Sequence, residues 1–122
     1  MRRQKIVVTT ASDGTVTAYG TKCSGKIHSV QYVKPSSGSY TDGVDFTITA
    51  ETTGENIWTE SNVNASAVRY PRAPTHTQAG VAATLDGTVA ALDKIALGND
   101  RVKIVLAQGG NAKTGTFHVL ID

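Results

Sequence analysis

The chain has a single cysteine among its 122 residues, and this excludes two common ways of stabilising a small fold. Cys23 has no second cysteine with which to close an intrachain disulfide, and no second thiolate stands at the spacing of a zinc site. We therefore expect a protein that folds in a reducing cytoplasm around a hydrophobic core. A chain of this length fits one domain, which we take to span residues 1–122.

Long hydrophobic runs are also missing. No stretch approaches the ~18 to 20 apolar residues that span a bilayer. The basic start is followed only by Ile6, Val7 and Val8, far fewer than the ~7 to 15 apolar residues of a signal peptide. The sequence thus predicts a soluble protein with no membrane partner.

Strong positive charge is absent as well. The formal net charge is +2, and aromatic residues make up only 6% of the chain. Nucleic-acid-binding surfaces usually combine dense Lys and Arg with aromatic side chains. We therefore do not expect a nucleic acid to be the main partner.

Threonine, valine, glycine and alanine are abundant, and they occur in alternating runs that predict strands joined by tight turns. In the clearest run, residues 43–52, Val44, Phe46, Ile48 and Ala50 face one side and polar residues face the other. Other alternating runs occur at 4–10, 15–20, 26–34, 56–61, 101–108 and 116–121. The sequence predicts an all-β fold, an antiparallel β-sandwich or Greek-key barrel of about 7–8 strands.

Turn residues between neighbouring runs predict two hairpins, one across Ser12-Asp13-Gly14 and one across the link from Gly109 to Gly115. The first run also makes residues 1–10 either an N-terminal arm or an edge strand. In the run at 26–34 we expect His28, Val30 and Tyr32 to share one face.

The alternation is lost near residues 62–99, where we predict a long irregular segment. Pro71 and Pro74 exclude a central strand, because proline lacks a backbone donor. Leu85, Val89 and Leu92 follow a helical spacing that Gly87 interrupts, so we favour a loop with a short edge strand at 95–97. Long irregular segments in small domains are often the working surface.

The stretch "VLAQGGNAKTGTFHV" at 105–119 resembles a phosphate-binding loop only in part. A Walker A loop places glycine directly before Lys-Thr and a helix after it, whereas Ala112 precedes Lys113 here and a strand pattern follows. We predict a turn in which Gly109, Gly110 and Gly115 adopt positive φ angles, which Asn111 also tolerates.

No other pattern predicts catalysis. His28, His76 and His118 are scattered without metal-ligand spacing, and Cys23 could act as a nucleophile only with a histidine beside it. We predict no enzyme activity, catalytic residue, cofactor, metal site or small-molecule substrate. The aromatic residues leave a carbohydrate-binding β-sandwich module as an alternative, since exposed rings stack on sugars; they are Tyr19, Tyr32, Tyr40, Trp58 and Tyr70.

Two segments, "GVDFTITAETTGENIWTESNVNAS" and "IALGNDRVKIVLAQGGNAKTGTFHVLID", carry a family resemblance. They resemble small β-rich virion structural proteins of tailed bacteriophages. The most specific parts are residues 43–49, 64–66 and 99–105 with the Gly109-Gly110 loop, and the resemblance covers most of the chain from Ser24 onward. It implies a component of the particle without fixing its position there.

Small size, the absence of disulfides and polar sheet faces favour a head decoration or cement protein, made in the host cytoplasm and placed on the phage head surface. Its expected partners are the major capsid protein and itself, as a homotrimer on the three-fold symmetry of a capsid. A head-tail connector or another tail-associated structural protein is the alternative within the virion. Basic and aromatic residues are the expected partner contacts: Arg2, Arg3, Lys5, Arg69, Tyr70, Arg72 and Lys113.

Overall fold

The alternating runs place their apolar residues in one core between two antiparallel sheets, in a computed structural model that describes residues 1–122. The eleven strands are β1 Arg2–Thr9, β2 Val16–Tyr19, β3 Cys23–Val33, β4 Asp45–Ala50, β5 Asn56–Glu60, β6 Ala67–Arg69, β7 Arg72–Pro74, β8 Leu92–Lys94, β9 Ala96–Asp100, β10 Val102–Ala107 and β11 Thr114–Ile121. None of the chain forms a helix that could cross a membrane. The predicted all-β antiparallel fold is confirmed.

The first sheet has the strand order β1-β11-β3-β6, and β9 pairs with the remaining part of the same edge of β3. The second sheet has the order β2-β10-β4-β5, and β7 and β8 form a separate two-stranded ribbon. Seven of the strands match the predicted alternating runs. Of the other four, β9 overlaps the short edge strand predicted at 95–97, whereas β6, β7 and β8 lie where the sequence predicts an irregular segment.

The predicted core faces of β4, β10 and β11 are confirmed. Phe46 on β4 is fully buried, and its ring makes edge-to-face contacts with Tyr32, Trp58 and Phe117 at centroid distances of 5.0, 5.3 and 5.1 Å. Such pairs add to the stabilisation that burial alone supplies. The aliphatic side chains with no exposed surface at all come from both sheets: Ile27, Val30, Ile48, Val102, Ile104, Leu106, Val119 and Ile121.

The predicted face of β3 is wrong at its start. Ile27 is buried and His28 is only half-buried, although Val30 and Tyr32 point into the core as expected. The cause is a register shift against β11, where neighbouring residues pair with Ser29 and Ile27. One extra residue in a strand reverses the inward and outward alternation beyond it.

The two predicted hairpins do not form. β1 pairs with β11 and β2 with β10, so the strands on either side of the first turn belong to opposite sheets. β10 and β11 are separated in the same way, whereas β4 and β5 do pair as neighbours. The turn before Gly14 is present, with an Ala11 amide bonded to the Thr15 carbonyl, but it connects two layers.

The link between β10 and β11 also differs from the prediction. Positive φ angles occur at Gln108 (59°), Gly110 (86°) and Ala112 (51°), but not at Asn111 or the other two predicted glycines. Gly109 is needed for close approach instead, because an added Cβ would lie 2.8 Å from the methyl group of the threonine that follows β1. This link is a crossover between sheets.

Candidate interaction surface

A ribbon of residues 72–94, here called the hairpin arm, projects from the edge of β3 between β6 and β9. β7 and β8 form its base, and beyond them the chain makes two small hairpins closed by the bridges His76–Ala82 and Thr84–Ala90. Three further hydrogen bonds, from the amides of Thr75, Ala83 and Ala91, join these hairpins to one another. The backbone hydrogen bonds of residues 75–91 are thus made within the arm.

The hairpin arm exposes apolar side chains without burying any. No residue from Arg72 to Lys94 is buried, and Val81, Leu85 and Val89 are 64%, 75% and 54% exposed. A monomeric surface rarely collects apolar residues in one element, and such a surface is typical of an interaction site. Leu92, 57% exposed, continues the apolar character to the base of the arm.

Asp86 is the only carboxylate between Ala73 and Leu92. It accepts hydrogen bonds from the Thr88 hydroxyl and from the amides of Thr88 and Val89, at 2.9 to 3.2 Å. These bonds, the hydroxyl's first, hold the pKa of Asp86 below its ordinary value. The tip of the second hairpin therefore carries a fixed negative charge between two apolar side chains.

A second unpartnered apolar surface lies on the outer face of the first sheet. Val7, Val33 and Val68, together with half-buried Leu120, form what we call the valine face. Strand pairing places Val7 and Val33 on either side of Thr116, and Val68 beside Gln31 in the next row, so polar side chains lie between the exposed valines. Outward-facing positions of a sandwich are usually polar, so this face also has the character of an interface.

The predicted contact residues of the N-terminus lie beside the valine face. β1 is an edge strand paired with β11 along its length, and it is therefore not a free arm. Arg3 and Lys5 point outward and are exposed, whereas Arg2 bends back and donates to the Ser24 carbonyl at 3.0 Å.

Arg69 on β6 is already engaged within the chain. Its guanidinium donates two hydrogen bonds to the Glu60 carboxylate, at 2.9 and 3.0 Å, and its centre lies 5.3 Å from the centroid of the Trp58 ring. The Trp58 indole donates to the same carboxylate. Arg69 therefore fixes the β5–β6 connection more than it offers a free charge.

Tyr70 and Arg72 hold the base of the hairpin arm against β3. Arg72 donates to the His28 carbonyl at 3.1 Å, and the Tyr70 ring meets the His28 ring edge-on at a centroid distance of 5.8 Å. Tyr70 remains 61% exposed and is available for contact. Arg69, Tyr70 and Arg72 are neighbours in the chain, but the Arg69 side chain contacts β5 whereas the side chains of the other two contact β3.

Lys113 lies in the β10–β11 link, at the end of the sheet opposite to Arg2. Its amide donates to the Thr10 hydroxyl at 2.9 Å, and the next amide, of Thr114, donates to the Gly38 carbonyl at 2.8 Å. The amides of Lys113 and Thr114 are therefore bonded within the chain and are not free to hold a phosphate. This agrees with the sequence argument against phosphate binding.

The aromatic residues do not form an exposed platform. Tyr32, Tyr40 and Trp58 are buried in the core, at 1%, 4% and 5% exposure. Tyr19 is covered on one face by the Arg101 guanidinium, 3.9 Å from its ring centroid. Tyr19 and Tyr70 are thus the only rings that the carbohydrate-binding alternative could use.

The histidines and the cysteine are dispersed. No three His, Cys, Asp or Glu side chains lie close enough together to hold a metal ion. Cys23 is buried and its thiol accepts a hydrogen bond from the Gln4 amide. His118 lies on β11 under the valine face, and its Nδ1 atom is buried without a hydrogen-bond partner. Burial, then the positive charges of Arg3 and Lys5, lower the pKa of His118.

One shallow cavity of about 410 Å³ lies along the β5–β6 connection. It is lined by the Glu60–Arg69 pair and by the segment from Asn62 to Ala67. The lining is mainly polar, and the ion pair within it is neutralised internally.

Comparison of the chain with protein-family models, curated proteins and solved structures finds no match.

Sequence reasoning found the location of the hairpin arm but not its nature. The segment was expected to be irregular, because the strand alternation is lost there and Gly87 interrupts the helical spacing that begins at Leu85 and Val89. The feature that could have indicated an apolar arm is its composition, because Asp86 and His76 are the only ionisable side chains from residue 73 to residue 92. The valine face was missed because its residues come from four separate strands.

Proposed function

We propose that this protein is a bacteriophage virion structural component, a head decoration protein that binds and stabilises the major capsid protein lattice. The hairpin arm is the observation that carries the proposal, because a projecting β ribbon with exposed apolar side chains has the make-up of an assembly element. The family resemblance of residues 43–66 and 95–122 supplies the virion context. The closely packed sandwich behind the arm suits a protein that must hold a seam rigidly.

The rival role within the virion is that of a head-tail connector or tail-associated protein. It would use the same surfaces, so the difference between the two roles is one of position and copy number. The carbohydrate-binding alternative is disfavoured, because Trp58 and two of the four tyrosines are buried. We expect no ligand beyond protein partners.

Electron cryo-microscopy of particles from the phage that encodes this chain tests the proposal. Antibody labelling should cover the head, and particles assembled without the protein should lose heat resistance that added purified protein restores. Protein carrying substitutions on the hairpin arm, such as Leu85→Ser, should restore less. Label confined to one vertex or to the tail would instead support the connector or tail role, and unlabelled particles would contradict both.

A further inference from the structure

We propose that the hairpin arm of one copy docks on the valine face of a second copy of this chain. The inference rests on the arm being an assembly element, as the proposed function has it, and it names what the arm binds. Both surfaces belong to the same polypeptide, and both expose apolar side chains that the folded chain does not cover. An apolar element and an apolar face of this kind are each stabilised by burial against the other.

The exposed apolar residues are concentrated on these two surfaces. Ten large hydrophobic side chains are exposed in the whole molecule, and seven of them lie on the two surfaces. The arm contributes Val81, Leu85, Val89 and Leu92, and the valine face contributes Val7, Val33 and Val68. Valine and leucine side chains of similar size can therefore interdigitate across the contact.

Charge makes the two surfaces complementary. The tip of the arm carries Asp86, while the valine face is bordered by Arg3 and Lys5 on β1 and contains no acidic residue. Opposite charges at the border of an apolar contact orient the partners and increase the association rate. Acidic residues around the valine face would have repelled Asp86 and opposed the docking of a second copy.

The valine face also holds an unpaired polar atom. His118, which pairs with Lys5 and Gln31 in the middle of this face, has a buried Nδ1 atom without a hydrogen-bond partner. Buried polar atoms in native proteins are normally bonded, and an exception needs an explanation. A docked arm can supply the missing bond only if the imidazole ring turns so that Nδ1 is exposed.

The contact joins two different surfaces, so it is heterologous, and successive copies are related head to tail. Such contacts close into a ring when the rotation between copies permits it. A three-membered ring would give the homotrimer expected from capsid symmetry. The arrangement leaves the outer face of the second sheet free for another partner.

Disulfide trapping tests the contact at the level of residues. Tagged Leu85→Cys protein is mixed with untagged Val7→Cys, Val33→Cys or Val68→Cys protein and oxidised. We expect mixed dimers with at least one of these three positions, because a disulfide needs Cβ atoms about 3.5–4.5 Å apart. Thr47→Cys, exposed on the outer face of the second sheet, is the matched control and should not cross-link. Wild-type protein, whose only cysteine is the buried Cys23, is oxidised in parallel and gives the background level of cross-linking.

Light scattering of the purified chain gives the second readout. The wild-type protein should self-associate, and Leu85→Ser with Val89→Ser should raise the dissociation constant at least about tenfold, as loss of central interface side chains does. Thr47→Ser should leave it unchanged. Circular dichroism and urea unfolding check that the variants fold.

Several outcomes would overturn the inference. These are a monomeric wild type up to about 100 µM, an oligomer unaffected by the arm substitutions, or trapping with Thr47→Cys alone. A monomer that nevertheless labels phage heads would overturn the second copy as the partner and leave the decoration role standing. If the protein self-associates but is absent from phage particles, the decoration role would be overturned and the contact between copies would stand.

Discussion

Gly115 on β11 lies where two tyrosine rings close one end of the core. The Tyr40 hydroxyl donates to the Val8 carbonyl at 2.6 Å, which fixes that ring across the start of β11. A Cβ added to Gly115 would lie 2.6 Å from Cε2 of Tyr40 and 2.8 Å from Cε1 of Tyr32. The glycine is therefore present for space, since its φ is not in the left-handed region.

We predict that Gly115→Ala lowers the free energy of unfolding by about 1–3 kcal/mol, the usual cost of overpacking a core. Gly98→Ala is the matched control, because Gly98 on β9 has no atom within 4 Å of an added Cβ and no positive φ. It should change stability by less than about 0.5 kcal/mol. Urea unfolding of both variants measures this, and equal losses would show that the tyrosine rings can move aside.

At the scale of the element, the hairpin arm is independent of the core beyond its base, where Ala73 packs against the core. Its strands are anchored only at the base, where Arg72 bonds to β3 and Lys94 pairs with Asp122. The rest is stabilised by its own turns and cross-strand hydrogen bonds. Elements with few buried contacts contribute little to global stability.

Replacement of residues 76–90 by Asn-Gly should leave the fold intact. The Thr75 amide bonds to the Ala91 carbonyl at 2.8 Å, so these two residues can flank a two-residue hairpin turn. We expect the free energy of unfolding to change by less than about 1 kcal/mol, and self-association to be lost. A much larger loss of stability in urea would mean that the arm supports the core.

For the molecule as a whole, electrostatics favours neutral over acidic conditions. Five of the ten acidic residues have pKa values below their ordinary values: Asp13, Glu51, Asp86, Asp100 and Asp122. At Asp100 burial would raise the pKa, but hydrogen bonds from Arg101 and Thr52 outweigh it. At Glu51 the main cause is the hydrogen-bonded Arg101 guanidinium.

Stability should therefore decrease on acidification. A carboxylate with a lowered folded-state pKa contributes fully above its unfolded value, near 3.8 for aspartate, and loses that contribution as the pH falls through the folded value. We expect the urea midpoint to fall steeply below about pH 4. Asp100→Asn, which keeps an acceptor oxygen, should destabilise the protein at pH 7 and differ less from wild type at pH 3. If the stability difference between Asp100→Asn and wild type were the same at both pH values, the ionised Asp100 carboxylate would not be a source of the pH dependence.

Local patterns were sufficient for the faces of the long strands. Val102, Ile104 and Leu106 alternate with half-buried residues over a whole strand, and the direction of a side chain from a strand depends only on that alternation. The pattern failed at His28, where a bulge in the pairing with β11 adds a residue. A bulge depends on the partner strand, which the local sequence does not specify.

The sequence by itself determined the all-β class, most of the inward residues and the positions of the turns, because these depend on side-chain alternation and on residues close in the chain. Only the tertiary structure decided that β1 and β2 lie in opposite sheets, that Gly115 is required for space, and that the valine face exists. Each of these depends on which distant strands pair, and that choice is made by burial of the whole core. For the hairpin arm both contributed: the sequence indicated its position, and the tertiary structure decided its exposure, because the core is completed without it.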